Sequence, residues 1–210
     1  AAEDVRWTKK WDTVLSNPRE NFYNWFEGAE LNTCFNAVDR HVEEGRADQL
    51  ALIYDSPITG KQRKFTYAEL KAKVARFAGV LRAQGVEKGD RVIIYMPMVA
   101  QAVIAILATS RIGAVHSVVF GGFAANELAI RIDDAKPKVI VSASCGIEPG
   151  RIVEYKPLLD AAIDIASHKP DACVILQRSE LEASLIEGRD IDWKAAMDAA
   201  VAVEECVPVK

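Results

Sequence analysis

An α/β fold, a layered and mostly parallel sheet flanked by helices, is the class this sequence predicts, and three observations predict it. Short apolar runs rich in Val and Ile recur at residues 50–54, 91–95, 115–120, 138–143 and 172–176. Segments with helical spacing of apolar residues separate most of them. The composition, 50% hydrophobic and 27% charged over 210 residues, supports one substantial core and argues against disorder. Strands alternating with helices build parallel sheets. The five runs are therefore expected in one α/β body, with 91–95, 115–120 and 138–143 adjacent and parallel.

Taken in order, residues 1–31 have no regular period, yet hold Trp7, Trp11 and Trp25 with Phe22, Tyr23 and Phe26. Each large aromatic offers roughly 1.5–3 kcal/mol on burial. The segment is read as an arm packed on a body formed by residues 32–210. Asn32 can cap a helix running to about Gly45, with Phe35, Val38 and Val42 inward. Residues 50–54 form a strand and 56–60 a turn, after which 62–65 return as a hairpin partner. Thr66 and Glu69 stand at capping-box spacing. The helix they open puts Leu70, Val74, Phe77 and Leu81 on one side and ends at Gly85.

Gly89 and Asp90 turn the chain into a central βαβ unit, with strands 91–95 and 115–120 around a crossover helix at 99–112. The connection is right-handed by the general rule, and the two Val- and Ile-rich runs suit strands buried on both faces. A helix at 124–134 turns Leu128 and Ile132 inward, and Pro137 helps to end it. The strand 138–143 follows, then a helix opened by Pro157, the strand 172–176 and a last helix at 192–203. Regularity fades over the final thirty or so residues. The chain reads as a polypeptide cut from something longer.

Composition also excludes. The net charge is −4, and no long basic tract provides the footprint of a nucleic-acid protein. No run reaches the 18 or so apolar residues of a membrane span, and the N-terminus has no signal-peptide core. Cys34, Cys145, Cys173 and Cys206 are widely spaced without a CxxC, which suits a reduced cytoplasmic compartment. A mitochondrial matrix location is compatible too, since a cleaved transit peptide leaves no trace. His41, His116 and His168 are too scattered to suggest a metal centre. There is no GxGxxG after a strand, no GxxxxGK[ST], no GxSxG and no HExxH.

Two places remain for chemistry. In parallel sheets ligands sit beyond the carboxyl ends of the strands, where Phe120-Gly121-Gly122-Phe123 follows the second strand of the βαβ unit. Two glycines let backbone amides approach a ligand and phenylalanines can wall a planar group; equally, the pair permits a tight turn. The loop 144–151 should emerge at the same edge. Its Arg151 is a permanent charge that suits phosphate, or a salt-bridge partner for Glu148 or Glu154. Cys145, with no histidine close in sequence, reads as a small buried thiol rather than a nucleophile. Asp133 and Asp134 read as a solvated helix end.

Several stretches together resemble a known family: WFEGAELN at 25–32, ALIY at 51–54, FTYAEL at 65–70, GDRV at 89–92 and IGAVHSVVFGGF at 112–123, then Arg131-Ile132 and Asp134-Ala135. Over essentially its whole length the chain is similar to the N-terminal part of AMP-forming acyl-CoA synthetases of the acetyl-/propionyl-CoA synthetase branch. GIEPGRIVEYKPLLDAAI at 146–163 is more like the propionyl enzymes.

The resemblance implies the large N-terminal domain of adenylate-forming enzymes. It implies a ligase acting on a short carboxylate, ATP and CoA, with magnesium, through an acyl-adenylate. Phe120, Gly121, Gly122 and Arg151 then fall at the CoA site. A second family arginine is replaced here by Glu148. The residues for adenylation, the catalytic lysine included, belong downstream of residue 210, so no catalytic residue lies in this chain. The implied partners are small-molecule substrates and the remaining domains of the parent enzyme, with no nucleic acid and no membrane. A non-catalytic α/β module binding CoA or a nucleotide, and a structural or interaction domain, are the alternatives.

Overall fold

The computed structural model describes residues 2–122 and 124–210. Phe123, the last residue of the glycine turn, lies outside the described residues, as does Ala1. The N-terminal segment forms an antiparallel hairpin, β1 (Thr13–Arg19) and β2 (Phe22–Glu27), turned at Asn21 with φ 65°. Packing of the aromatics is partial. Trp7, Trp11 and Phe26 meet with ring centroids 5.1–5.3 Å apart. Phe22, Tyr23 and Trp25 instead stay exposed, Trp25 at 63%. The hairpin satisfies its backbone groups by self-pairing, and the segment is tied down at its base. There, Arg6 pairs with Glu43 at 3.1 Å and Lys9 bridges to Glu30.

Asn32 is the predicted cap: its Oδ1 accepts from the Phe35 amide at 3.0 Å. The helical stretch it opens contains wide, five-residue turns at Phe35–Asp39 and Val42–Arg46. These turns rotate the inward face, so Cys34, Val38 and Asp39 are buried while Phe35 and Val42 are only half-buried. A 3.6-residue period does not describe such turns.

Residues 50–54 stand apart from the main sheet. They lie in β3 (Leu50–Ser56), which pairs antiparallel with β4 (Lys61–Thr66) in a separate hairpin. α1 (Tyr67–Ala83) starts at a complete capping box, with the Glu69 amide donating to Thr66 Oγ1 at 3.2 Å and the Thr66 amide to Glu69 Oε2 at 2.9 Å. Leu70, Val74, Phe77 and Leu81 are all buried.

The remaining elements are β5 (Arg91–Met96), α2 (Ala100–Arg111), β6 (Val115–Phe120), α3 (Ala125–Ala135), β7 (Val139–Ala143), β8 (Cys145–Glu148), β9 (Arg151–Glu154), α4 (Tyr155–Ile165), β10 (Ala172–Leu176), β11 (Asp190–Asp192) and α5 (Trp193–Ala199). The five-stranded sheet has the order β11-β10-β7-β5-β6 with every neighbouring pair parallel. The three central runs are thus adjacent and parallel, as expected. β11 falls just before the expected last helix, in a stretch where no strand was expected. That helix begins one residue later, with Asp192 capping the Ala195 amide at 2.8 Å, and ends early at Ala199.

Alternation along β5 explains the layers. Val92, Ile94 and Met96 face a core shared with α1, α2 and Trp193, while Ile93 and Tyr95 face a second core shared with α3 and α4. β5 and β7 are buried on both faces. β6 is not: it is one edge of the sheet, opposite β11, and its Val115, Val118 and Phe120 are exposed. No described helix is long and apolar enough to cross a membrane.

Candidate functional site at the strand ends

The chain leaves β5 toward α2 on one face, whereas β6 and β7 lead to helices on the other. Such a reversal opens a crevice at the carboxyl ends of the strands. A cleft of about 380 Å³ lies there. Met96, Pro97, Met98 and Val99 line one side, Phe120, Gly121, Ile147, Glu148 and Tyr155 the other, and residues 54–59 of the first body hairpin close the end.

Tyr155, the first residue of α4, organises the second side. Its ring occupies a notch between Gly121 and Gly146. A Cβ on Gly121 would come within 2.3 Å of the Tyr155 hydroxyl oxygen, and one on Gly146 within 2.6 Å of its ring. The hydroxyl donates to the Gly121 carbonyl, and the ring stacks on Tyr95 with centroids 5.1 Å apart. Burial, and then the Glu148 charge, raises the Tyr155 hydroxyl; burial and Tyr155 push Tyr95 up to about 12. Both tyrosines are therefore neutral hydrogen-bonding groups at physiological pH. Neither glycine of the pair has a positive φ. The turn needs glycine for space at Gly121, because of Tyr155; at Gly122 a Cβ would meet the Phe120 ring at 3.2 Å, and that exposed ring can give way. The Phe120 ring stands 73% exposed at the rim of the cleft.

The loop 144–151 emerges at the same edge, as expected, but largely as structure. β8 and β9 form a hairpin that turns at Gly150 with φ 79° and sets Glu148 opposite Arg151. The Arg151 guanidinium grips Glu148 Oε2 at 2.6 and 2.7 Å while remaining 70% exposed. Glu148 lines the cleft and Arg151 does not. The Glu148 carboxylate is thus the partner of Arg151. Cys145 is buried and its thiol raised by that burial, which fits a structural thiol. Asp133 accepts from the His168 amide at 2.8 Å, so it ties α3 to the chain before β10 instead of merely being solvated.

Sequence reasoning missed Arg178. It follows β10 in a stretch without periodicity, so no pattern flagged it. Its amide donates to Ser144 Oγ at 2.9 Å and its guanidinium to the Cys145 carbonyl at 3.2 Å. The side chain lines the main cleft and also a neighbouring one of about 270 Å³ that holds Lys61 and Arg63. Its guanidinium also lies 3.8 Å from the Glu180 carboxylate, so, like Arg151, it has an acidic partner at this edge.

Among the described residues, one group has metal-ligand spacing: Cys34, Asp39 and Cys206. It does not fit magnesium, which prefers oxygen ligands and retained water. Its carboxylate is also held by Arg111, through contacts of 2.8 Å from both terminal nitrogens.

The family model for AMP-binding enzymes matches residues 38–206, and that for the acetyl-coenzyme A synthetase N-terminus matches residues 1–37. The chain belongs to the AMP-binding enzyme family. It is 51% identical over all its 210 residues to human acyl-CoA synthetase short-chain family member 3, mitochondrial, of which it covers 30%. It is 44% identical over 192 residues, 91% of its length, to propionate–CoA ligase of Escherichia coli, again covering 30% of that protein. Acetoacetyl-CoA synthetase from Streptomyces lividans superposes with a TM-score of 0.82 at 29% identity, over 98% of this chain and 31% of that one. The chain thus spans about three-tenths of the length of these AMP-binding relatives.

Proposed function

We propose that this chain is the N-terminal part of an AMP-forming short-chain acyl-CoA synthetase and that it supplies part of the CoA side of the site. In the first step a short carboxylate, with propionate the leading choice, attacks the α-phosphorus of ATP and expels pyrophosphate. In the second, the CoA thiolate attacks the acyl-adenylate carbonyl and expels AMP. Magnesium offsets phosphate charge in the first step. The residues that hold ATP and metal lie outside this chain.

The likeness of the entire chain to a short-chain acyl-CoA synthetase and a propionate–CoA ligase carries this reading. The cleft supports it: Gly121 lines it, and Phe120 lines it with most of its surface exposed. The apolar and planar parts of CoA fit there. Its phosphates would have to compete with Glu148 for Arg151. A reduced compartment, the cytoplasm or mitochondrial matrix, suits the free cysteines.

The test is an assay, with propionate, ATP, magnesium and CoA, of the protein that carries the downstream residues; the 210-residue chain alone is expected to be inactive. Formation of AMP, pyrophosphate and propionyl thioester in equal amounts is expected. ADP as the product, or CoA binding without turnover by a protein that carries the downstream residues, overturns the reading; the latter favours a non-catalytic CoA module.

A further inference from the structure

Cys34 and Cys206 come from opposite ends of the chain and meet beside Asp39. Their sulfurs lie within 4.8 Å of one another, and both approach Asp39 Oδ2, at 4.0 and 3.8 Å. Cys34 is fully buried at the start of the helical stretch, where an Arg111 nitrogen reaches its sulfur at 3.6 Å. Cys206 is only half-buried. It lines a cleft of about 510 Å³ together with Asn32, Asp39, Lys71 and Glu204. One thiol is therefore reachable from solvent and the other waits directly behind it. A metal is a poor occupant of this corner, because Arg111 already holds the carboxylate and its charge would oppose a dication.

We propose that Cys34 and Cys206 form an exchangeable dithiol, oxidised to an internal disulfide by a small disulfide of the glutathione type that enters through this cleft. The Cys206 thiolate attacks one sulfur of glutathione disulfide, forming the Cys206–glutathione bond and releasing one glutathione thiolate. Cys34, as thiolate, then attacks the Cys206 sulfur and expels the second glutathione. Two protein thiols are oxidised, one external disulfide is reduced, and two glutathiones leave, carrying as thiols the two protons the protein thiols give up through solvent. The sulfurs must close from within 4.8 Å to a bond of about 2.05 Å.

The roles follow from the environment. Cys206 lines the cleft and meets the incoming disulfide, whereas Cys34, fully buried with its sulfur within 4.8 Å of that of Cys206, is placed to displace the glutathione from behind. The neighbouring Cys34 sulfur, and burial, raise Cys206, so the first exchange is slow. The bond would join the helical stretch to the segment whose Val203 carbonyl accepts from Arg111 Nε at 2.7 Å. The crosslink would therefore fasten the C-terminal strap to the body at the site where Arg111 already holds it.

Incubating the purified protein with excess glutathione disulfide, followed by acid quenching, alkylation and non-reducing peptide mapping, tests this. A Cys34 peptide linked to a Cys206 peptide is expected, with Cys145 and Cys173 alkylated once the protein is unfolded. In Cys34→Ser, Cys206 should retain one glutathione; in Cys206→Ser, Cys34 should stay unmodified while the protein remains folded by circular dichroism. The wild-type digest decides the matter if either variant misfolds. Persistent glutathione on wild-type Cys206 without the linked pair overturns the proposal. So does a link between any other two cysteines, or two free thiols after prolonged oxidation.

Discussion

Arg111 and Asp39 form a buried, two-pronged ion pair, with each terminal nitrogen of the arginine 2.8 Å from a different carboxylate oxygen. The arginine side chain is wholly buried, at the end of α2. Burial works against its charge, but the bonds to Asp39 and the nearby sulfurs outweigh it and keep the guanidinium firmly protonated. Its remaining donors reach the Val203 and Glu204 carbonyls. One side chain thus joins the helical stretch, the sheet's crossover helix and the C-terminal strap. Removing one partner of such a pair strands the other without solvent. Asp39→Ala should destabilise the chain by about 3–5 kcal/mol, measured by urea unfolding. A loss under about 1 kcal/mol would show that water or Glu204 takes over the role.

Gly121 and Tyr155 give a second, purely steric prediction. Gly121→Ala puts a methyl within 2.3 Å of the Tyr155 hydroxyl oxygen, which is itself bonded to the Gly121 carbonyl. The turn or the ring must shift, at a cost of about 1–3 kcal/mol. Combining it with Tyr155→Ala should give non-additive losses, since the second change removes the obstacle. Strict additivity in thermal or urea unfolding would exclude the contact as the reason for glycine.

Much of the sheet was legible because β5 and β7 are apolar on both faces and the helices between them have regular periods. β6 reads the same way in sequence yet lies at an edge, because Val-rich composition reports what a strand can bury and not what happens to cover it. The wide turns after Asn32 moved Asp39 inward against the 3.6-residue period. At the candidate site the glycine pair was visible, but its partner Tyr155 was not. No local rule links a helix-opening tyrosine to glycines far away on two other elements. The Cys34–Cys206 contact was hidden for the same reason, since wide spacing says nothing about which ends the fold returns to.

Asp190 predicts part of the acid limb of stability. Burial opposes its charge, but the hydrogen bonds from Arg189, from the Ile186 amide and from Lys156 prevail and hold its carboxyl below the usual aspartate value. Lys156, itself buried, lies 2.9 Å away. Because the folded state depresses this group, its contribution is fully present above the ordinary value of about 3.9 and fades as pH falls through the lower folded value. Asp190→Asn should therefore lower stability at neutral pH and make it less steep with pH below about 4. Parallel stability curves for the two proteins across that range would rule the linkage out.

The pairing of Arg151 with Glu148 makes the last prediction, which rests on the proposed CoA role. With Glu148 gripping the guanidinium at 2.6 Å, a CoA phosphate gains Arg151 only by displacing a carboxylate from an exposed hairpin tip. Such surface pairs are weak, about 0–1 kcal/mol, whereas a charge-assisted phosphate contact contributes about 1.5–3 kcal/mol. The phosphate should win, with Glu148 reducing its margin. In the protein that carries the downstream residues, Arg151→Ala should raise the KM for CoA about 10-fold or more while leaving ATP–pyrophosphate exchange nearly unchanged. Glu148→Gln should do the reverse, lowering the KM for CoA a few-fold, and Glu148→Arg should not weaken CoA binding. Both half-reactions falling together in Arg151→Ala would make the pair a folding contact of the β8–β9 hairpin. An unchanged KM in all three variants would remove Arg151 from the CoA site.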